Sequence, residues 1–426
     1  MKGWTIKRQN VLARYPSWPH LCDRDVHQMI SEQLRHLIPD TIAGYTCDQQ
    51  TVCDVLLKAS VEGRAIEGVC NDLATDPTGV TIRSYVNDLL PESHLKAIEQ
   101  QMQTQLQANL PHRLWRTALD LAGELHDEPF YGKSPRLRAC ACRGEARQGT
   151  TWFYRVATVY VIHQGVPYTL AVTFVLPTDT LVEVLRRLLQ QVRNLGLEIR
   201  CLYLDKGFCL APVLDYLEHS GLPAILAFAI RGKRGGTRAL CQGKRSYFTE
   251  YTFPAGKHPA HIARMAVVRT FNKKHGKRKA TWLLYVLIHV KVHAPETVRV
   301  RYRSRFGIET GYRCMRQTHA VTTSQNPVVR FFLISLAFLL VNLWVTLRWH
   351  FCQVPRRGGR RVNKKQYELQ RQSHFLARVI DEIYGTVTSI EAQTVPIDPR
   401  VSTKSSSTDM VSPDEPLAPV PEPASG

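Results

Sequence analysis

The chain has 426 residues with 44% hydrophobic and 22% charged side chains, which excludes a largely disordered protein and predicts two or three domains. There are 56 lysines and arginines against 36 acids, and the formal net charge of +20 favours a polyanionic partner, nucleic acid before an anionic membrane surface. The eleven cysteines are scattered and no apolar leader is seen, so we expect reduced thiols and no disulfide-bonded secreted protein.

Residues 1–112 have the pattern of a helical N-terminal domain. An amphipathic helix begins at residue 52, a turn signal follows at residues 76–79, and a second helical run covers residues 81–90. The second run carries Arg83, Ser84 and Asn87. A helix, a tight turn and a polar second helix are typical of a DNA-binding helix-turn-helix, and equally typical of an ordinary α-hairpin.

From residue 117 the apolar pattern changes to that of strands. Predicted strands cover residues 117–121, 152–162, 167–176, 199–204 and 224–230, and predicted helices cover residues 180–195 and 208–219. This order is that of the RNase H-like fold, an α/β architecture with a mixed sheet and flanking helices. We predict such a domain over residues 113–230 and 296–350. Its first and fourth strands are neighbours in that fold, which would place Asp120 beside Asp205.

Residues 231–295 interrupt this domain. Strand-like runs at residues 247–253, 262–271 and 281–292 alternate with basic turns, one of which contains Lys273, Lys274 and Lys277. We interpret the segment as a β-rich insertion with exposed cationic loops. These lysines would contact phosphates, although a solvated charged loop would have the same composition.

Residues 302–317 form a predicted helix with two distinct faces. At about 100° per residue, one face carries a single acid, a phenol and three guanidinium groups, while the other is small and apolar. The first face comprises Tyr302, Arg305, Glu309, Arg313 and Arg316. A solvated surface helix could show this mixture. However, a strongly apolar segment follows directly, which favours a functional role for the polar face.

Residues 331–349 are almost long enough and apolar enough to span a bilayer. The run contains Ser335, Asn342, Thr346 and Arg348 and stands alone, so we predict a helix buried in a large core and no membrane partner. Residues 351–394 are predicted to be a basic C-terminal helical segment. Residues 395–426 are rich in proline and serine and are predicted to be a disordered tail.

Asp120, Asp205 and Glu309 place two aspartates at strand ends and one glutamate on a later helix. Three converging carboxylates would repel one another, and a pair of Mg²⁺ ions about 4 Å apart would remove that repulsion. Carboxylate oxygens are ligands that Mg²⁺ prefers, and Mn²⁺ is a possible substitute. The three acids therefore predict a two-metal site for phosphodiester chemistry.

The spacing Tyr302-(2)-Arg305-(3)-Glu309-(6)-Arg316 resembles the Tyr-(2)-Arg-(3)-Glu-(6)-Lys signature of DDE transposases of bacterial and archaeal insertion sequences, with arginine in place of the final lysine. The run Leu204-Asp205-Lys206-Gly207-Phe208 looks like the second-aspartate motif of that family. Residues 119–121 with residues 127–132 look like the first-aspartate region. The resemblance covers about residues 115–350.

This resemblance implies that Asp120, Asp205 and Glu309 are the catalytic, metal-binding acids. Asp127 is the alternative first acid, and Asp120 is favoured because a strand end holds a ligand more rigidly than a turn. The resemblance also implies that Tyr302, Arg305 and Arg316 contact the phosphates of the DNA ends; salt bridges to neighbouring acids are the alternative role. We add Arg313 to this DNA-contacting set.

The implied activity is cut-and-paste transposition, with metal-dependent hydrolysis at the transposon ends followed by strand transfer into target DNA. The partners would be double-stranded DNA and a second copy of the chain, in the cytoplasm at the nucleoid. An RNase H-like nuclease without strand transfer and an inactive DNA-binding derivative share the fold and are the alternatives. A membrane protein with one span and a basic soluble domain is a further alternative.

Overall fold

The computed structural model describes residues 20–38, 47–75, 78–111, 114–115, 117–163, 166–253, 260–274, 277–357 and 359–389. Side chains at residues 163, 166–167, 272–274, 277–278, 306–310, 356 and 359–360 lie outside this description. The predicted tail at residues 395–426 also lies outside it.

A nine-stranded mixed sheet forms the centre of the described structure. Its strands are β1 Leu119–Pro129, β2 Cys142–Arg147, β3 Thr150–His163, β4 Val166–Val175, β5 Ile199–Leu204, β6 Ala224–Phe228, β7 Tyr247–Phe253, β8 His261–Lys274 and β9 Lys277–Ile288. The main path runs β2-β3-β1-β5-β6-β9-β8-β7, and β4 pairs with β3. Strands β1, β5 and β6 are parallel neighbours, so the predicted RNase H-like sheet is confirmed.

The predicted β-rich insertion is present, and its strands extend the same sheet. Strand β9 pairs antiparallel with β6, β8 pairs with β9, and β7 pairs with β8. The basic turn predicted from the sequence lies between Lys274 and Lys277, which are paired at the end of the β8–β9 hairpin.

The first strand is longer than predicted. The pattern ended it at Leu121, whereas β1 continues to Pro129. Its second half is polar, but each acid there faces a cation or a histidine. Asp127 Oδ1 lies 2.6 Å from Arg155 Nε on β3, and Glu128 Oε1 lies 2.7 Å from His126 Nε2. Because these partners neutralise the acids, a polar sequence can remain inside the sheet.

Twelve helices flank the sheet in the described residues. They are α1 Asp23–Arg35, α2 Gln49–Glu62, α3 Ile66–Asp72, α4 Gly79–Leu89, α5 Leu95–Ala108, α6 Pro135–Arg138, α7 Leu181–Asn194, α8 Ala211–His219, α9 Pro295–Arg303, α10 Gly307–Gln317, α11 Pro327–Phe351 and α12 Leu369–Tyr384. Side-chain caps are seen at the starts of α2, α4, α7 and α11. In α7, Thr180 and Glu183 form a capping box, and the apolar stripe that begins at Val184 is buried.

The predicted helical N-terminal region is present as α1 to α5. Helix α4 presents Arg83, Ser84 and Asn87 to solvent, and Arg83 Nη2 lies 2.9 Å from Glu67 Oε2 of α3. These polar side chains are available to a partner. The arrangement suits either a helix-turn-helix or an α-hairpin.

Helix α12 packs against α1 and α2 of the N-terminal region. Arg378 Nε donates to Asp23 at 2.8 Å, Lys58 Nζ lies 2.7 Å from Asp381 Oδ1, and the Tyr384 hydroxyl donates to buried Asp54 at 3.1 Å. The segment predicted to be entirely helical also contains a hairpin, β10 Gln353–Arg356 and β11 Gly359–Val362. Strand content was missed there because its basic residues gave no alternating apolar pattern.

Helix α11 contains the apolar segment. It is long and apolar enough to cross a bilayer, yet 94% of its most apolar 18-residue window is buried inside the described structure. It packs on β4 and α5. This burial agrees with the prediction of a core helix, since each buried leucine or phenylalanine contributes roughly 1.5–3 kcal/mol.

Candidate functional site at the carboxyl ends of β1 and β5

Asp205 stands at the carboxyl end of β5. The residue precedes a short 3₁₀ turn, Lys206–Phe208, in which Phe208 is completely buried. The buried ring anchors the turn, and the Asp205 side chain stays 39% exposed. The chain therefore presents this carboxylate at a fixed place on the sheet edge, as the sequence predicted.

The register of β1 on β5 decides which acid lies next to Asp205. Asp120 pairs with Cys201 and Gly123 pairs with Leu204, so Glu124 is level with Asp205. Asp120 lies four residues earlier, about 13 Å away at 3.3 Å per residue. The prediction that Asp120 and Asp205 are neighbours is therefore wrong, although their strands do pair.

The Asp120 side chain is paired with Arg200 at the other end of β5. Its carboxylate accepts a 2.8 Å hydrogen bond from Arg200 Nε and a second from Arg200 Nη2. Asp127, the alternative first acid, does not reach Asp205 either. It lies farther along β1, on the opposite face from Glu124, and pairs with Arg147 at 2.7 Å and with Arg155. Glu124 was missed because the predicted strand ended three residues before it.

Arg305 lies between the two adjacent acids. Its Nη2 atom is 3.7 Å from Glu124 Oε2 and 3.6 Å from Asp205 Oδ1. Only 8% of the residue is exposed, and its guanidinium lies 5.5 Å from the Tyr302 ring centroid. Burial opposes its charge, but Tyr302, Glu124 and Asp205 together raise the pKa of Arg305. Two carboxylates thus converge on the Arg305 guanidinium. Arg305 therefore has the salt-bridging role that the sequence analysis gave as the alternative to a DNA contact.

Tyr302 fixes α9 against the end of β5. Its hydroxyl donates a 3.0 Å hydrogen bond to the Leu204 carbonyl, and its ring packs on Tyr285 with centroids 4.9 Å apart. Burial raises the pKa of Tyr302 well above its usual range. The described contacts place this hydroxyl against protein backbone, one residue before Asp205.

The predicted helix at residues 302–317 is divided. Helix α9 ends at Arg303, a 3₁₀ turn covers Ser304–Phe306, and α10 begins at Gly307. A regular 100° per residue does not hold across this break, so the five polar residues do not share one face. Arg305 is buried, whereas Arg313 and Arg316 are exposed. The expected apolar face is seen at buried Cys314 and Met315.

Helix α10 packs on β4 and reaches β3 and β1 through the Tyr312 side chain. The Tyr312 hydroxyl lies 2.7 Å from Thr158 Oγ1, and Thr158 is the cross-strand partner of Glu124. The Tyr312 ring also stacks on His126, with centroids 5.0 Å apart. Glu309 precedes Tyr312 by three residues in the same helix, about 5 Å along its axis. Its side chain lies outside the described part.

A cavity of about 680 Å³ adjoins this site through Tyr302. Its walls include Trp282, Phe228, Tyr285, Arg299 and Arg303. The Trp282 side chain is half-buried and forms part of this wall. Lys273, Lys274 and Lys277 lie at the β8–β9 hairpin end by backbone position, and their side chains are outside the described part.

The half-buried side chain of His319 predicts acid sensitivity. Burial lowers the pKa of His319, and His126 and Arg330 act in the same direction against the opposing charge of Glu128. The His319 imidazole is therefore protonated below about pH 6.5 in the unfolded chain, whereas it stays neutral to a lower pH in the folded chain. We expect stability to fall below pH 6.5 by up to about 1.4 kcal/mol per pH unit, and to be unaffected by this group above it.

Urea denaturation at pH 7.5 and 5.5 measures this effect. His319→Gln should reduce the loss at pH 5.5, whereas a change at exposed His374, His374→Gln, should leave it as in the parent protein. An identical pH dependence in all three proteins would show that His319 does not carry the effect.

Within the described side chains, no group of three histidine, cysteine, aspartate or glutamate residues is arranged to hold a metal ion. Glu124 and Asp205 nevertheless meet the first requirements, because they are hard oxygen donors, partly exposed, and directed at the same cation. A third carboxylate would have to come from Glu309 on α10. Asp120 is too distant to join them.

No protein-family model and no curated protein matches this sequence. Among solved structures, the chain is similar to one described as the cryo-EM structure of the piggyBac transposase synaptic complex with hairpin DNA. The TM-score is 0.52 at 10% sequence identity, over 89% of this chain and 80% of the other. At this identity the likeness shows a shared fold, and it agrees with the transposase-like fold predicted from the sequence.

Proposed function

We propose that this chain is a DNA transposase that hydrolyses phosphodiester bonds at transposon ends and transfers the freed strands into target DNA. The observation that carries the proposal is that Glu124 and Asp205, on neighbouring parallel strands, converge on the Arg305 guanidinium. In α/β sheets, active sites form at the carboxyl ends of such strands. The spacing of Tyr302, Arg305 and Glu309 supports a relation to insertion-sequence DDE transposases.

The donor set fits two Mg²⁺ ions, with Mn²⁺ as a substitute, held by Glu124, Asp205 and Glu309. Such ions would supply activation of the attacking oxygen and stabilisation of the leaving oxygen. We replace Asp120 by Glu124 in this role because of the strand register. Arg305 holds the two acids together without a metal, and its contacts would loosen once a stronger cation is bound between them.

The remaining residues would position DNA. Arg313 and Arg316 are exposed on α10, on the helix that carries Glu309, and their charge suits phosphate oxygens. Tyr302 keeps α9 on the sheet, so that Arg305 reaches the acids. Double-stranded DNA would be the substrate, and two copies of the chain would hold the two transposon ends.

A nuclease without strand transfer would use the same site. An inactive DNA-binding derivative is favoured by one observation. The first of the three acids is a glutamate, Glu124, and it is already paired with Arg305. These three functions differ in their products: joined DNA, cut DNA only, and bound but intact DNA.

The test uses supercoiled DNA carrying the sequences that flank the coding region, incubated with the full chain and Mg²⁺. We expect cut ends and joined products from the parent protein, and a loss of both by a factor on the order of 10³ in Asp205→Asn. Asp215→Asn is the matched control, because Asp215 is an exposed aspartate on the neighbouring helix α8.

DNA cleavage without joined products would show a nuclease instead of a transposase. Binding without cutting would support the inactive derivative. Equal activity in Asp205→Asn and the parent would remove the proposed site altogether.

A further inference from the structure

A second positively charged surface lies on the β2–β3 hairpin and helix α6, on the other side of β1 from the insertion. Between residues 131 and 152 the chain has five basic residues and one acid, Glu145. Arg138, Arg143 and Arg147 are exposed there, and so is Tyr131, whose hydroxyl donates a 2.7 Å hydrogen bond to the Gln148 carbonyl at the hairpin turn. This surface has no part in the proposed chemistry.

Two of its arginines are held on one indole ring. The Arg138 guanidinium lies 5.5 Å and the Arg143 guanidinium 5.1 Å from the Trp152 ring centroid. Arg143 and Trp152 are also cross-strand partners. Cation–π contacts of this kind limit the motion of long side chains at a surface. We name Arg138, Trp152 and Arg143 the arginine clamp.

The clamp keeps its positive charge unneutralised within the described structure. Neighbouring Arg136 pairs with Glu92 at 2.9 Å and Arg147 pairs with Asp127 at 2.7 Å. In the described residues, no carboxylate lies within 4.0 Å of the Arg138 or Arg143 guanidinium. Two like charges on one ring repel each other, and binding of a polyanion would relieve that repulsion.

The arginine clamp lies towards the same end of the sheet as Glu124 and Asp205, the end at which β1 and β5 finish. Strand β1 runs from Glu124 towards Pro129, and the Phe130 N–H then donates to the Trp152 carbonyl at 2.9 Å. Six residues separate Glu124 from Phe130, about 20 Å at 3.3 Å per residue. Six base pairs of duplex, at 3.4 Å each, span the same length.

We propose that the arginine clamp binds the phosphate backbone of the substrate DNA about six base pairs from the phosphate that is cut. This inference rests on the proposed function. Both arginines lie against Trp152, so its ring is not open to a base, and the contact is made to phosphates and is independent of sequence. Two phosphate contacts contribute about −1.8 to the slope of log affinity against log salt concentration.

The test measures fluorescence anisotropy of a labelled 40-base-pair duplex of random sequence with the full chain over a range of NaCl concentrations. The double variant Arg138→Gln/Arg143→Gln is expected to bind roughly tenfold more weakly at moderate salt, with a slope shallower by about 1.8. Arg193→Gln/Lys291→Gln removes the same charge at exposed positions and serves as the control. Arg193 ends α7 and Lys291 follows β9, both at the sheet edge opposite Asp205.

Arg138→Lys/Arg143→Lys keeps both charges and should retain most of the salt slope, which separates loss of charge from loss of fold. If the glutamine variant binds like the control while the parent protein binds and cuts DNA, the clamp is overturned and the proposed function stands. If the parent protein does not bind the duplex at all, both proposals fail.

Discussion

Glu124→Gln is expected to lower DNA cleavage by a factor on the order of 10³ or more. Glutamine keeps the size of the side chain but removes the negative charge that would hold a divalent cation beside Asp205. Changes in groups that only surround a metal site typically cost 10–100-fold, so a loss well above that range would identify a direct ligand. The assay is Mg²⁺-dependent cleavage of supercoiled DNA.

Metal affinity gives a reading that does not depend on catalysis. Titration of the DNA-free protein with Mn²⁺, followed by calorimetry or electron paramagnetic resonance, should show weaker binding in Glu124→Gln. Asp120→Asn and Asp127→Asn are the matched controls, because these acids are paired with Arg200 and with Arg155 and lie away from Asp205. Both controls should cut DNA and bind Mn²⁺ within a few-fold of the parent protein.

The opposite pattern of losses would refute the assignment of Glu124 as the first metal-binding acid. If Asp120→Asn lost both cleavage and Mn²⁺ binding while Glu124→Gln kept them, the first acid would be Asp120 and the strand register would have to shift. Glu124→Asp adds a finer test. Its carboxylate is shorter by one methylene on a rigid strand, so we expect partial activity, with a larger loss in cleavage than in Mn²⁺ affinity.

The sequence predicted the parts of the site that depend on local pattern. The strand at Ile199–Leu204 is mostly apolar, and the turn after it contains Gly207 and an apolar anchor, Phe208. These signals are contained in ten residues, so Asp205 could be placed correctly. The buried helix α11 was recognisable for a similar reason, since its polar residues are few and lie within one continuous apolar run.

The first acid could not be found in the same way. The second half of β1 is polar, and it is a strand because Arg155 and Arg305 neutralise two of its acids from other parts of the chain. A local pattern contains no information about such distant partners. The break between α9 and α10 was equally hidden, because residues 302–317 keep a helical period in the sequence while Ser304–Phe306 tighten into a 3₁₀ turn.

Asn342→Leu is expected to destabilise the fold by about 3–5 kcal/mol, although leucine suits the apolar surroundings of α11 better. The Asn342 amide is fully buried and bonds the backbone of β4. Its Oδ1 accepts from the Thr169 N–H at 2.8 Å, and its Nδ2 donates to the Thr169 carbonyl at 2.8 Å and to the Leu106 carbonyl at 3.3 Å. Leucine would leave the Thr169 N–H and carbonyl buried without these partners, at about 1–3 kcal/mol each, while the Leu106 carbonyl keeps its hydrogen bond from the Tyr168 hydroxyl.

Loss of the Asn342 amide should also expose the outer backbone groups of strand β4. Among the described strands, β4 pairs only with β3. Its outer side is closed by side chains such as Asn342 and Gln103, and Gln103 accepts from the Val172 N–H at 3.2 Å. An unpaired edge strand promotes association between chains, so Asn342→Leu should aggregate at lower denaturant concentrations than the parent protein. Chemical denaturation followed by circular dichroism and light scattering measures both effects.

Ser335→Ala in the same helix is the matched control for the stability of α11. Ser335 is buried, and its hydroxyl has no hydrogen-bond partner among the described atoms, so its removal should be neutral or slightly stabilising. If Asn342→Leu were as stable as Ser335→Ala, the amide would have no role in closing β4. The polar residues of α11 would then need another explanation, and a bilayer environment for this helix would have to be tested.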